Sequence, residues 1–153
     1  MMLPILQAII FVSYVTFLLI RFKGPIKSIS ESWYALGYPT NILFILFCFS
    51  LGLSLTFYPE SVLFFIGGAS LSVVGVACAF KSSEKLTNII HFGGATIAIV
   101  SSLIGIGLAF GTFIPFVIWI GGSLPMILFK IKNHIWWIEI LAFLTIIVGL
   151  LIR

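Results

Sequence analysis

The chain has 153 residues, of which 61% are hydrophobic and only 8% charged, with a formal net charge of +4 and a mean hydropathy of +1.30. Soluble domains carry about 25% charged residues, so this composition excludes an ordinary water-soluble core, and its apolar content excludes a disordered chain. The eight Lys and Arg residues are dispersed among short connections, which is a topological pattern and not the clustered patch that nucleic acid requires.

A helix that crosses a bilayer needs about 20 mostly apolar residues. Apolar runs cover approximately residues 3–20, 41–58, 62–80, 89–110, 113–129 and 135–152. They predict one integral membrane domain over 1–153: an all-α, polytopic transmembrane helix bundle of six spans, with a short interfacial helix after span one. The first run has no charged side chain before it, and Arg21 and Lys23 follow it. That order of flanks reads as an uncleaved first span with its N-terminus outside, not as a cleavable signal.

The connection after span one is the long one. Ser28 followed three residues later by Glu31 has the form of a capping box, and predicts a helix start before Leu36. Trp33, Tyr34 and Tyr38 suit a membrane interface. The segment reads either as a helix lying under the bundle or as a lid over a cytoplasmic-side cavity.

Tyr58-Pro59-Glu60 separates spans two and three, Lys81 to Lys85 separates three and four, and Gly111 to Pro115 separates four and five. The first, third and fifth connections then hold Arg21, Lys23, Lys27, Lys81, Lys85, Lys130 and Lys132, leaving only Arg153 of the eight basic residues on the other side. The positive-inside rule makes those connections cytoplasmic, in the cytoplasmic (inner) membrane, with both termini outside. Pro115 is expected to open span five, where a missing N–H costs little. Pro125 beside Gly121-Gly122 predicts a kink in the same span.

Small residues mark where membrane helices touch, because apolar surface alone gives no drive to associate in lipid. His91, Gly94/Ala95, Ala98, Ser102, Gly105 and Ala109 form such a stripe on span four, opposite Phe92, Ile99, Leu103 and Ile106, which are expected to face lipid. Span three repeats the pattern with Gly68, Ser72, Gly75 and Ala79. Spans three, four and six are therefore expected to form the packed centre. Cys48 and Cys78 lie isolated within apolar runs and read as small packing residues rather than a disulfide.

There is no Asp, and of the four Glu Glu60 and Glu84 fall in loops. Glu139 is different. It lies about 7–8 Å along span six from His134, on a stripe continued by Ala142, Thr145 and Gly149. An ionisable group in a span needs a partner, since at the helix centre it costs about 2.5–3.5 kcal/mol on insertion scales. His91, at the start of span four and at matching depth, is the expected partner. The predicted ligand-binding cluster is Glu31, Tyr34, Lys81, His91 and Glu139, with Trp136 and Trp137 as its apolar wall. It reads as a polar clamp that locks the helices, as a ligand, ion or proton site, or as a catalytic site. Catalysis is disfavoured. A metal centre wants three or four convergent ligands and the chain has two His, while Ser30 or Ser32 with His91 is not set in a nucleophile elbow. No metal and no cofactor are expected.

The segments SISESWYAL (Ser28–Leu36), VACAFK (Val76–Lys81), IHFGGA (Ile90–Ala95) and HIWWIEILA (His134–Ala142) are similar to a group of uncharacterised small multi-span membrane proteins of bacteria and their phages. The six-span plan distantly resembles the DRAM/Sfk-type membrane family. The serine-and-histidine plan resembles the alkaline ceramidase and adiponectin-receptor superfamily, whose zinc chemistry implies several His and an Asp that this chain lacks. The resemblance implies a fold and a membrane location, not a reaction.

The leading expectation is a non-enzymatic, transporter-like membrane protein whose partners are the bilayer and a lipid headgroup, small solute or proton held in a cytoplasmic-side polar pocket. A membrane-remodelling or interaction protein, holin-like or a phage accessory factor and self-associating through its small-residue faces, is the first rival. An intramembrane lipid hydrolase using His91 is the second. No nucleic-acid partner is expected.

Overall fold

The computed structural model describes residues 2–77 and 84–152 and, for 84–88, the backbone alone. Among the described residues there are seven helices and no strand: α1 (Met2–Phe22), α2 (Ser32–Leu36), α3 (Ile42–Thr56), α4 (Val62–Ala77), α5 (Glu84–Phe110), α6 (Ile114–Leu128) and α7 (His134–Leu151). The apolar runs set where they form; backbone chemistry sets where they stop. α1 closes where Lys23 and Gly24 take positive φ and the Gly24 N–H reaches back to the Leu19 carbonyl, a left-handed helix stop. Gly111, at φ +69°, ends α5, and Pro115 sits in the first turn of α6, so the long apolar stretch 89–129 divides where expected. Asn133 enters α7 in the left-handed region.

Three helical segments, Met2–Phe22, Ile89–Phe110 and His134–Leu151, are long and apolar enough to cross a membrane. α3, α4 and α6 are apolar but have 15, 16 and 15 residues. At 1.5 Å per residue they reach about 22–24 Å, less than the ~30 Å hydrocarbon core. Length and composition thus support three crossings, not the six predicted. The cause lies at the helix ends. α3 stops at Thr56 ahead of Pro59 instead of running to 58, and α6 stops before Lys130, whose φ is +48°. The predicted end of span three, near 80, lies outside the described residues, as does Cys78. Pro125 lies within α6.

α1 packs on α3 and α7, α3 on α4, α4 on α5, and α5 on α7, which closes a ring of five helices; α6 leans on α5 and α7 from outside it. The tightest arc is α3–α4–α5. A Cβ at Gly68 would collide with the Gly52 carbonyl, and one at Gly52 would lie 2.5 Å from the Gly68 carbonyl. A Cβ at Gly67 would lie 2.5 Å from Ser102 Oγ, and one at Gly94 2.8 Å from Val74 Cγ2. α4 and α5 are close neighbours as expected, but the stripe of α4 is corrected: Gly68, Ser72 and Gly75 face Gly52, Thr56 and Cys48 of α3, while the stripe of α5 meets Gly67 and Val74 on another face of α4. The expected lipid-facing back of α5 is corrected: Phe92 is exposed, but Leu103 and Ile106 are fully buried. They pack with Ile146 and Leu150 of α7, because α5 is clasped by α4 on one side and α7 on the other.

At Gly52 and Gly68 the obstructing atoms include a backbone carbonyl of the facing helix, which cannot swing away. Gly52→Ala and Gly68→Ala should each destabilise the folded protein by about 1–3 kcal/mol. Gly93 and Gly121, with nothing within 4 Å of an added Cβ, should tolerate Ala or gain up to about 1 kcal/mol from helix propensity. Thermal unfolding of the four variants in one mild detergent reads the contrast.

Candidate functional site: an apolar cavity with a polar end

The five ring helices and the segment after α1 line a partly open cavity, with about 60 Å³ open to the centre of a water-sized sphere. Its wall includes Phe44, Phe47, Leu51 and Leu55 of α3, Leu71 and Val74 of α4, Ala95, Ala98 and Ile99 of α5, and Phe143, Ile146 and Ile147 of α7. Polar residues reach it in two groups. Ser30, His91 and Glu139 line it beside the segment after α1, and Gln7 and Ser102 line it towards the other end. From Phe44 to Leu55, or from His91 to Ser102, the lining covers eleven residues of helix, or about 16 Å of rise. The space is long, narrow and largely greasy.

Residues 25–30 are stitched to the start of α7. Asn133 Nδ2 donates to the Pro25 carbonyl at 2.8 Å, and the Trp136 N–H, in the first turn of α7, donates to the Lys27 carbonyl at 3.1 Å. The Ile29 N–H donates to Glu139 Oε2 at 2.5 Å, and the Ser30 hydroxyl donates to Glu139 Oε1 at a long 3.3 Å. One helix-terminal N–H and one loop N–H are thereby satisfied away from water. The Ser28 hydroxyl accepts the Glu31 N–H at 3.0 Å, which is half of the expected capping box. Ser32, fully buried, shares a 2.7 Å hydrogen bond with the Tyr14 hydroxyl. Ile29, 2% exposed, packs into the cluster of Phe11, Tyr14, Phe44 and Trp136. The connection is thus an inserted plug at this end of the ring.

Of the predicted cluster, His91 and Glu139 line the same cavity. Glu139, however, takes its hydrogen bonds from Ile29 and Ser30 rather than from His91. The His91 ring lies 6.4 Å from that of Phe44 and 5.7 Å from that of Phe92. Glu31 and Tyr34 are not among the lining residues, and Tyr34 is exposed at the surface. Trp136 is buried in the packed cluster rather than on the cavity wall, while Trp137 is partly exposed, so the two do not form one wall. Lys81 lies outside the described residues. The predicted stripe of Ala142, Thr145 and Gly149 is buried as expected.

Sequence reasoning missed Ile29, whose backbone donor leaves no pattern, and weighed Ser30 only as a partner of His91, not of Glu139. It also missed Gln7. The signal there was legible: a lone amide in an otherwise apolar first span. Among the described residues no group of three or more His, Cys, Asp or Glu could hold a metal ion. The molecule is an all-helical protein with helices fit to cross a membrane. Compared with protein families, with curated proteins and with solved structures, the chain matches none.

Removing the acceptor should cost more than neutralising it. Glu139→Leu strands the Ile29 N–H and should destabilise by about 1–3 kcal/mol. Glu139→Gln keeps an amide oxygen for that donor and should lose less than half as much, with Ser30→Ala smaller still. Equilibrium unfolding in detergent ranks the three.

Proposed function

We propose that this protein is a six-span, cytoplasmic-membrane protein that holds a single-chain amphiphile in its helix ring. A hydroxyl or ammonium headgroup sits at Glu139, Ser30 and His91, and the chain runs along the cavity. One observation carries the reading: an apolar cavity whose lining covers about 16 Å of helix rise has a carboxyl, an imidazole and a hydroxyl on its wall beside the loop end. The Glu139 carboxyl takes the Ile29 N–H on Oε2 and the Ser30 hydroxyl on Oε1 at a long 3.3 Å, and its two oxygens keep capacity to accept a further donor. Apolar walls with a few placed polar groups are the usual make-up of a small-molecule site. The protein's role is binding or transfer, not covalent chemistry.

Six crossings are supported by the charge pattern, with seven of eight basic residues in alternate connections. α3 and α6, at 15 residues each, fall about 7–8 Å short of the hydrocarbon thickness, a mismatch that local thinning of the bilayer accommodates at fractions of a kcal/mol per ångström. Single cysteines at Lys27 and Lys132 should be labelled by an impermeant thiol reagent only from the cytoplasmic side, and those at Phe57 and Gly111 only from the opposite side, in a Cys48→Ala, Cys78→Ala background. Labelling of all four from one side overturns the six-span topology.

A second reading is favoured by the short Ile29 contact: Glu139 serves only as the strap that holds the plug. Native mass spectrometry separates the two. Dodecylamine should form a one-to-one complex and dodecanoate should not. Glu139→Gln should weaken the amine complex about tenfold or more, in the range of a hydrogen bond to a charged group, and Ala95→Phe should abolish it by filling the cavity. A Glu139→Gln protein that loses stability but binds the amine as before supports the strap and sinks the amphiphile site.

A further inference from the structure

The far end of the cavity is also built with a polar group. Gln7, on the first span, is 2% exposed and lines the cavity. Its Nε2 donates to Ser54 Oγ at 2.7 Å. Ser54 acts as the acceptor in that bond, because its own hydroxyl proton goes to the Leu51 carbonyl at 2.8 Å. A hydroxyl whose one proton is used can only accept, so the Gln7 amide is held with its NH₂ towards Ser54. The amide oxygen is left over. It is buried and receives no hydrogen bond.

The other hydroxyls nearby do not need it. Ser102, also on the cavity wall, donates to the Ala98 carbonyl at 2.7 Å, and Thr145 donates to the Leu141 and Ala142 carbonyls. Each is satisfied on its own helix. An amide has no such local outlet, and an unpaired acceptor in a dry interior is a cost that native structures seldom keep without a reason.

We propose that Gln7 is the second polar subsite of the cavity, accepting a hydroxyl at the distal end of the bound chain. This rests on the amphiphile reading above and deepens it: the ligand class becomes a linear chain bearing a donor headgroup and a second hydroxyl about 16 Å away, a separation of on the order of a dozen methylene groups. An ordered water could offer the same O–H chemistry, so the probes must separate a ligand-borne hydroxyl from water.

Dodecylamine and 12-aminododecan-1-ol differ only in the distal hydroxyl. On wild-type protein, by native mass spectrometry, the hydroxylated probe should bind about 2- to 10-fold more tightly, the span of one neutral hydrogen bond. Among amino-alcohols of 8 to 16 carbons the preference should peak near twelve, a scan that needs no variant. Gln7→Met, apolar and of similar volume, should erase the preference, the two probes then binding alike. Equal binding of the two probes to wild-type protein, as expected if water satisfies the amide, overturns the subsite but not the headgroup reading. A preference that survives Gln7→Met does the same. Failure of both probes to bind wild-type protein overturns the headgroup reading and the subsite with it.

Discussion

The contact between the Ile29 N–H and the Glu139 carboxylate governs how this molecule closes. Within a bilayer a backbone donor has no water to turn to, and an unsatisfied one costs several kcal/mol. The segment after α1 cannot enter the helix ring unless its backbone donors find acceptors there. Glu139 supplies one to Ile29, and the carbonyls of Pro25 and Lys27 in turn serve Asn133 and the first turn of α7. With those exchanges made, Ile29 can be buried against Trp136 and Phe44, and the loop becomes an end wall. The same contact explains why an acid is tolerated in α7: its oxygens are met by donors that themselves need an acceptor.

The cavity follows from two kinds of packing meeting on opposite sides of one ring. On the α3–α4–α5 side, glycines and serines let backbones touch, as at Gly52 and Gly68. On the side of α1, α3 and α7, aromatic rings set the spacing. Phe11 and Phe143 lie 5.3 Å apart, Phe47 and Phe143 5.4 Å, and Tyr14 stacks on Phe47 at 4.4 Å. One arc is drawn in and the other held open, and the space between is not filled by side chains. Hydroxyls do not flood it with polarity either, since Ser72, Ser102 and Thr145 bond carbonyls of their own helices, the usual resolution for hydroxyls in apolar helices.

Much of this architecture was legible in the residues. Period and hydropathy located the six long helices, Gly111 and Pro115 divided the longest apolar run, and the stripe on α5 marked a true contact with α4, whereas the stripe on α4 turned out to face α3. What was not legible depends on tertiary contact. α3 carries Cys48, Gly52 and Thr56 at four-residue spacing, a small-residue face as clear as that of α4, yet its partner could not be read from its own pattern. Leu103 and Ile106 look like lipid-facing residues because bilayer and protein interior are equally apolar, so hydropathy cannot distinguish them. For the site, the carboxylate and imidazole were found from their rarity. The acceptor's partner was missed because it is a main-chain N–H, which every residue except proline carries.

The bilayer also decides which part of the cavity can confer selectivity. A chain that leaves the surrounding lipid for an apolar tunnel exchanges one hydrocarbon environment for another, so the hydrophobic effect that drives binding from water is nearly absent. Gains from close packing remain but discriminate mainly by length and width. On the amphiphile reading proposed above, discrimination would therefore come from the polar groups on the wall, where a correctly placed donor meets Glu139 and a misplaced one leaves buried atoms unpaired. The exposed apolar surfaces of α1, α5 and α6 set where the molecule resides, and the few polar side chains facing inward set what it can hold.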